Sequence, residues 1–195
     1  MKNLYESLLD DFDKISDNID IIGEIKKFLV DNYSGCYGCV INDPGEDGLY
    51  IVNCTDYLQV RIDQDLKYLT NGLFKFGSVK RFSCSRCSNL TSLKGAPERV
   101  YGDFYCVGCN KLTSLEGAPK EVGGDFVCAN CSNLTSLKGA PENVGKNFYC
   151  HYCENLKNLK YIPKKINKNF ICDDVFTEKE INRVKKNCKS VEYFD

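Results

Sequence analysis

Residues 82–176 read FSCSRCSNLTSLKGAPERVYGD (82–103), FYCVGCNKLTSLEGAPKEVGGD (104–125), FVCANCSNLTSLKGAPENVGKN (126–147), FYCHYCENLKNLKYIPKKINKN (148–169) and a truncated FICDDVF (170–176). The period is 22 residues and the skeleton is F-x-C-x-x-C-x-x-L-x-x-L-x-x-x-P-x-x-V. A single unit of this size cannot bury its apolar edge, whereas stacked units share a continuous core, so the repeat predicts a solenoid.

Each part of the skeleton has a physical task. Phe104-Tyr105-Cys106, Phe126-Val127-Cys128 and Phe148-Tyr149-Cys150 alternate with period two, which places Phe and the first Cys on one face of a short strand. The second Cys and the two leucines, such as Leu112 and Leu115, return the chain across the same interior. Gly-Ala-Pro at 95–97, 117–119 and 139–141 continues neither strand nor helix and makes the corner. Val100, Val122, Val144 and Ile166 then turn inward before the next strand.

These units resemble the leucine-rich repeat family. Its pattern is L-x-x-L-x-L-x-x-N/C-x-L. Phe104 and Cys106 stand at the paired strand positions and Cys109 at the Asn/Cys position, and the match recurs at Phe82/Cys84/Cys87, Phe126/Cys128/Cys131 and Phe148/Cys150/Cys153. Two spacings depart from it: Val122 precedes Phe126 by four residues rather than three, and Leu134 follows Cys131 by three rather than two. The resemblance spans roughly 80–175 and implies a concave parallel sheet that binds a partner. The short Cys-bearing units also resemble bacteriophage-encoded repeat proteins. That likeness implies a chain that binds and blocks or redirects a host protein, including one of antiviral defence, in the host cytosol.

An array needs caps at its apolar ends. Residues 1–80 lack the repeat; Leu4, Leu8, Leu9, Phe12 and Ile15 form one helical stripe, and Ile22, Ile25, Phe28 and Leu29 a second. Strands are expected at 37–41, 49–53 and 57–62. At the other end Thr177 and Glu180 spell a capping box that opens a helix through Ile181 and Val184 to about 186. The expectation is therefore an α/β-type repeat solenoid of about four and a half short leucine-rich-like coils with a parallel sheet on one face. An α+β N-terminal cap (1–80), the solenoid (81–176) and a C-terminal cap (177–195) divide the chain.

The composition agrees with a globular protein: 195 residues, 43% hydrophobic, 27% charged, and a net charge of −1 from 26 basic and 27 acidic groups. No bulk field draws such a molecule onto nucleic acid or a membrane, and no apolar run approaches the roughly 18–20 residues of a spanning helix. The N-terminal MKNLYESLLDDFDKIS lacks a basic n-region and a cleavable apolar stretch, so a cytoplasmic location is expected. Charge is uneven: 1–80 holds 8 basic and 14 acidic residues, 81–195 holds 18 and 13. The basic excess gathers at 157–189, around Lys164, Lys165, Lys168, Lys185, Lys186 and Lys189. No aromatic residues interleave with these lysines as single-strand binders require, so a solvated cap is expected there.

Thirteen cysteines, an odd number, without an export signal favour reduced thiols over a disulfide framework. Cys84/Cys87, Cys106/Cys109, Cys128/Cys131 and Cys150/Cys153 are C-x2-C pairs separated by 18 residues, the spacing of a tetrathiolate zinc site. The repeat itself imposes that gap, and in the fifth unit Cys172 is kept while Val175 takes the second position. The thiols therefore read as packing groups, with zinc as the alternative. Equivalent thiols in adjacent coils would lie ~4.8 Å apart, within reach of oxidative cross-linking. Cys36 and Cys39 form one more C-x2-C, read as structural because a helix precedes it and a strand follows.

The residues alternating with Phe and Cys face outward. Ser83, Tyr105, Val127, Tyr149 and Ile171 form one row; Ser85, Val107, Ala129, His151 and Asp173 a second; Arg86, Gly108, Asn130, Tyr152 and Asp174 a third. Asp103 and Asp125 precede the strands as a polar rim. Rigid aromatic anchors inside a polar rim suit protein binding, so Tyr105, Val127, Tyr149, His151, Tyr152, Ile171, Asp103 and Asp125 are the candidate partner-binding residues. His151 is the single histidine, and Cys150 beside it points to the opposite face, which leaves no Cys-His pair. No phosphate-binding or dinucleotide motif occurs. The expectation is a non-enzymatic protein-binding module without a cofactor or metal. Its partner is a protein rather than a small molecule, nucleic acid or membrane; the alternative is a zinc-stabilised module binding nucleic acid through the basic C-terminal side.

Overall fold

Two short strands from each unit carry the architecture, and both repeat in strict register. One series is β6 (Phe104–Tyr105), β8 (Phe126–Val127), β10 (Phe148–Tyr149) and β12 (Asn169–Asp173). The other is β5 (Arg99–Val100), β7 (Glu121–Val122), β9 (Asn143–Val144) and β11 (Lys165–Ile166). All pairs are parallel, Phe over Phe and Val over Val, and both series start from β4 (Phe74–Ser83). The structure, a computed structural model, describes residues 21–35, 39–60, 66–67 and 69–194. The result is a parallel-sheet β-solenoid of about six coils.

The 22-residue period produces this by placing each side chain over its own kind. Phe82, Phe104, Phe126, Phe148 and Phe170 form one column, with ring centroids 5.6, 5.2, 5.2 and 5.4 Å apart and planes within 13°. The backbone bonds that hold this spacing run from coil to coil: Phe104 N–H donates to the Asp125 carbonyl at 2.8 Å, and Cys106 N–H to Val127 at 2.9 Å. Every Phe, first and second Cys and Leu of the four full units is buried, as are Val100, Val122, Val144 and Ile166. Each such side chain contributes about 1.5–3 kcal/mol, so this interior outweighs the exposed ion pairs Arg99–Glu121, Glu116–Lys138 and Glu142–Lys164 outside it.

The expected sheet on one face proves to line two sides of each coil. The Val-bearing strands are only two residues long and carry no periodicity that a sequence can display. The third side, L-x-x-L, is built of turns and bends, and the described residues of the repeats contain no helix. Gly-Ala-Pro closes it, with Ala118 N–H donating to the Leu115 carbonyl at 3.0 Å. Gly139 needs to be glycine twice over: its φ is +88°, and a Cβ would lie 2.5 Å from the Leu115 carbonyl oxygen. In the fourth unit Tyr161 holds the same corner at φ 62° with 60% of its surface exposed.

The N-terminal end is closed by α1 (Ile21–Asn32), β1 (Tyr33–Ser34), β2 (Cys39–Asn42) and β3 (Tyr50–Val60). Ile25 and Leu29 of the expected stripe are buried, while Ile22 is exposed. The two strands expected at 49–53 and 57–62 form one, β3, which pairs antiparallel with β1 and β2 and parallel with β4. Tyr33 fills the first position of the aromatic column, 5.5 Å from Phe76 and 6.1 Å from Phe82. Cys39 and Cys54 face each other across β2 and β3 and are disulfide-bonded. For these two cysteines that corrects the general expectation of reduced thiols. Cys36 and the stripe of Leu4, Leu8, Leu9, Phe12 and Ile15 lie outside the described residues.

At the C-terminal end the capping box forms as the sequence spells it: the Thr177 hydroxyl accepts from Glu180 N–H and starts α2 (Glu178–Val184). Ile181 and Val184 are buried against the last coil. Glu180 accepts the Leu159 N–H at 3.1 Å and Arg183 donates to the Leu159 carbonyl at 2.6 Å, so this helix caps the open leucine side. The chain then adds β13 (Ser190–Phe194), which pairs parallel with β12. The substitution Tyr161→Gly is expected to relieve a left-handed cost of about 1–2 kcal/mol and, after the entropy of the added glycine, to raise the melting temperature by roughly 2–4 °C. Gly139→Tyr should lower it by more; differential scanning calorimetry of the two variants checks the pair.

Candidate functional site

The outward face of the Phe-Cys ladder is where the expected binding residues meet. Tyr105, Val127 and Tyr149 stand in one row on β6, β8 and β10, half-buried against one another. Val107 and His151 belong to the adjacent row and are half-buried, and Tyr152, beyond His151, is 46% exposed. Ile171 is only 4% exposed and Ala129 likewise, so the apolar surface dips at both places. Desolvation of Tyr105, helped by the neighbouring Asp103 carboxylate, raises its phenol above the usual value.

The rim is less open than its charges suggest. Asp103 is 7% exposed, and its Oδ1 accepts the Asp125 N–H at 2.9 Å. Asp125 Oδ1 accepts the Asn147 N–H at 2.8 Å, and Asn147 accepts the Asn169 N–H at 3.2 Å. Three successive coils thus use the residue before Phe to hold the backbone of the next coil. Arg81 and Lys146 lie 3.5 and 3.8 Å from the Asp103 carboxylate. Asp103 and Ile171, both placed on the open surface by period two, are structural: the first is a coil-to-coil acceptor and the second is buried on β12.

The cysteines are occupied in the same way. Cys109 Sγ donates to the Cys84 carbonyl at 3.1 Å, Cys131 to Cys106 at 3.1 Å and Cys153 to Cys128 at 3.2 Å. Each of these second thiols therefore satisfies a turn carbonyl of the preceding coil, a contact that needs the protonated form. Cys87 is the second thiol of the first unit, where the preceding coil belongs to the cap rather than to the repeat. It is buried all the same, and its backbone closes the turn: its N–H donates to the Cys84 carbonyl at 3.4 Å and its carbonyl accepts the Leu90 N–H at 3.1 Å. Burial pushes Cys131 to about 12 and Cys153 to about 11. Cys84, Cys106, Cys128 and Cys150 are fully buried on the strand face and are raised well above an ordinary thiol.

Among the described residues no three His, Cys, Asp or Glu side chains form a group that could hold a metal ion. Cys84, Cys87, Cys106, Cys109, Cys128, Cys131, Cys150 and Cys153, the alternative zinc ligands, do not form such a group. The two thiols of a C-x2-C pair, Cys84 with Cys87 as much as Cys150 with Cys153, are packed into the apolar core of the coil. Val175 does not replace a buried thiol as its alignment suggests; it is 72% exposed, because the chain leaves the repeat path after Asp174.

The fourth coil departs most from the pattern. Tyr152 occupies the left-handed position that Gly108 fills two coils earlier, at φ 56°, and its N–H donates to Asp173 Oδ1 at 2.8 Å. His151 stacks on Phe194 of β13 with centroids 4.2 Å apart and planes at 9°, while Tyr152 meets both rings edge-on. The imidazole Nδ1 is buried and, among the described residues, has no hydrogen-bond partner. Burial lowers the His151 pKa, and Asp173 partly opposes this. Beside the ring cluster a groove of about 540 Å³ runs between Tyr152, Asp173, Asp174, Val175, Phe176 and Phe194. Phe194 escaped the sequence reading, although the apolar residues of Val191-Glu192-Tyr193-Phe194 were a visible strand signal.

The lysine-rich C-terminal side is interspersed with acids: Lys164 pairs with Glu142 at 2.7 Å, and Lys160, Lys179, Arg183 and Lys186 share a hollow with Glu178 and Glu180. No described helix is long and apolar enough to cross a membrane. Comparison of the chain with protein-family models, with curated proteins and with solved structures finds no match.

Two outcomes follow from this geometry. Dialysis against a strong chelator should leave the melting temperature unchanged and release no stoichiometric zinc by elemental analysis, since the thiols are buried and those of Cys109, Cys131 and Cys153 are engaged by carbonyls. Acidification should act through His151: its folded pKa lies below the unfolded value near 6.5, so the unfolded chain takes up the proton first. Stability is then full above that value and falls as the pH drops through it. Melting curves between about pH 7.5 and 5.5 should show this slope, flattened in His151→Gln.

Proposed function

We propose that this chain is a non-enzymatic protein-binding module, and that the outward face of the Phe-Cys ladder is its binding surface. The observation that carries the reading is a contiguous row of partly exposed aromatic and aliphatic side chains, Tyr105, Val127 and Tyr149, continued by Tyr152, on a backbone tied coil to coil. Rigid rings on a rigid support lose little entropy on binding. An apolar row of this kind on a solvated sheet is otherwise an aggregation liability.

The leucine-rich repeat resemblance supports the same face, which is the usual partner surface in that family. The likeness to phage-encoded repeats extends the proposal to a host protein as the target, met in the host cytoplasm. The packing around the candidate nucleophiles favours binding over catalysis: His151 is enclosed by rings, and Cys150 is buried on the opposite face of the strand.

Affinity capture from host lysate, beside a Tyr105→Ala/Tyr149→Ala/Tyr152→Ala variant shown by its melt to be folded, tests the reading. A protein enriched by the wild type and lost from the variant is the expected result. Capture of the same proteins by both would overturn the assignment of this face.

A further inference from the structure

The repeat ends on an unusual edge. Every other strand of the Phe series is paired on both sides, whereas β13 pairs with β12 and, among the described residues, with no other strand. Its burial is low throughout: Ser190, Glu192, Tyr193 and Phe194 are exposed and Val191 half-exposed. Such an edge presents a row of backbone donors and acceptors to any extended chain. Natural proteins usually blunt a terminal edge with lysine or proline or cover it with a helix. Here α2 covers the leucine side instead, and the edge itself reads Ser-Val-Glu-Tyr-Phe.

The register shows what the edge would take. Val191 and Tyr193 align with Phe170 and Cys172, on the core side, while Glu192 and Phe194 align with Ile171 and Asp173, on the outward side. A strand laid in register would meet apolar groups on one face and Glu192 on the other. At the Phe194 end the edge opens onto the groove of about 540 Å³, whose wall combines the rings of Tyr152 and Phe194 with the carboxylates of Glu154, Asp173 and Asp174 against the single cation of Lys157. Aromatic faces beside carboxylates favour an ammonium or guanidinium group, through cation–π attraction and charge together. Self-pairing is disfavoured on the same grounds, because antiparallel pairing centred on β13 sets Glu192 against Glu192 of a second copy.

We propose that β13 is a strand-addition site for an extended, basic segment of a partner protein, which alternates apolar residues with lysine or arginine and lays a cationic side chain into the Tyr152/Phe194 groove. The proposal rests on the protein-binding reading and names the partner's chemistry. Backbone pairing supplies the affinity and the alternate side chains the specificity.

The test uses the full chain and synthetic peptides followed by fluorescence anisotropy: one alternating valine with lysine, one valine with glutamate, and a third with the lysine sequence but N-methylated at alternate residues. Saturable binding of the lysine peptide is expected, weakened roughly tenfold or more by the glutamate exchange or by N-methylation. Glu192→Lys should shift the preference toward the glutamate peptide. The Tyr105→Ala variant should bind the lysine peptide within about twofold of wild type, since β6 is separated from β13 by β8, β10 and β12. No saturable binding, equal affinity for the lysine and glutamate peptides, or full affinity of the N-methylated one would overturn the proposal. So would a dimer in sedimentation that the lysine peptide fails to dissociate. A failure here leaves the ladder face to be judged by host-protein capture with the Tyr105→Ala variant, which keeps the Tyr152 of the groove, and loss of that capture with retained peptide binding separates the two surfaces.

Discussion

A coil of fixed length stacks every side chain on its own copy, and the hydrogen bonds between coils hold that stack at strand spacing. The Phe column is the clearest consequence: five rings lie nearly parallel with centroids 5.2–5.6 Å apart. A one-residue insertion would turn each following side chain to the wrong side, so the constancy of 22 residues across four units is a structural requirement. The same constraint selects small groups at the tightest places. Gly145 lies where a Cβ would come 2.1 Å from the Gly123 carbonyl oxygen, and the first thiols stack where larger side chains would part the strands.

Stacking also explains why so many polar atoms can lie close to an apolar core without penalty. The Asp103, Asp125 and Asn147 side chains each accept a backbone N–H from the coil above, and the thiols of Cys109, Cys131 and Cys153 each donate to a carbonyl of the coil below. A buried donor or acceptor left unpaired costs about 1–3 kcal/mol, so a repeat that satisfies one such group per coil gains the same advantage at every step. Cysteine suits the second position because it packs as a small hydrophobe and still donates. The spacing that reads as a zinc motif arises from this arrangement.

The repeat is most regular in its first three units and least regular in the fourth, which is where unusual chemistry appears. Tyr152 holds the left-handed corner that Arg86, Gly108 and Asn130 fill in the earlier units, and Tyr161 the one that Gly95, Gly117 and Gly139 fill. His151, Tyr152 and Phe194 gather beside a groove bordered by Asp173 and Asp174. Strained backbone persists where surrounding structure over-determines it and is concentrated at functional places. The interior of the array is a scaffold, and the departures from it face the solvent at one end.

The amino-acid sequence by itself determined the solenoid, its period, the buried identities of Phe, Cys, Leu and Val, and the helix opened by Thr177 and Glu180, because each is a local or strictly periodic signal. It also placed Tyr105, Val127 and Tyr149 on the outward face, by alternation alone. Tertiary structure decided the rest. The two-residue Val strands exist only through their neighbours, so the second ladder was invisible in any single unit. Period two placed Asp103 and Ile171 on the surface, but burial depends on what the adjacent coil places over them, and the bond from Asp125 N–H to Asp103 is one coil, 22 residues, away. The Cys39–Cys54 bond needed the pairing of β2 with β3. Residues 190–194 become a sixth rung only because α2 folds back over the leucines and returns the chain beside β12, a path set by packing rather than by a repeat.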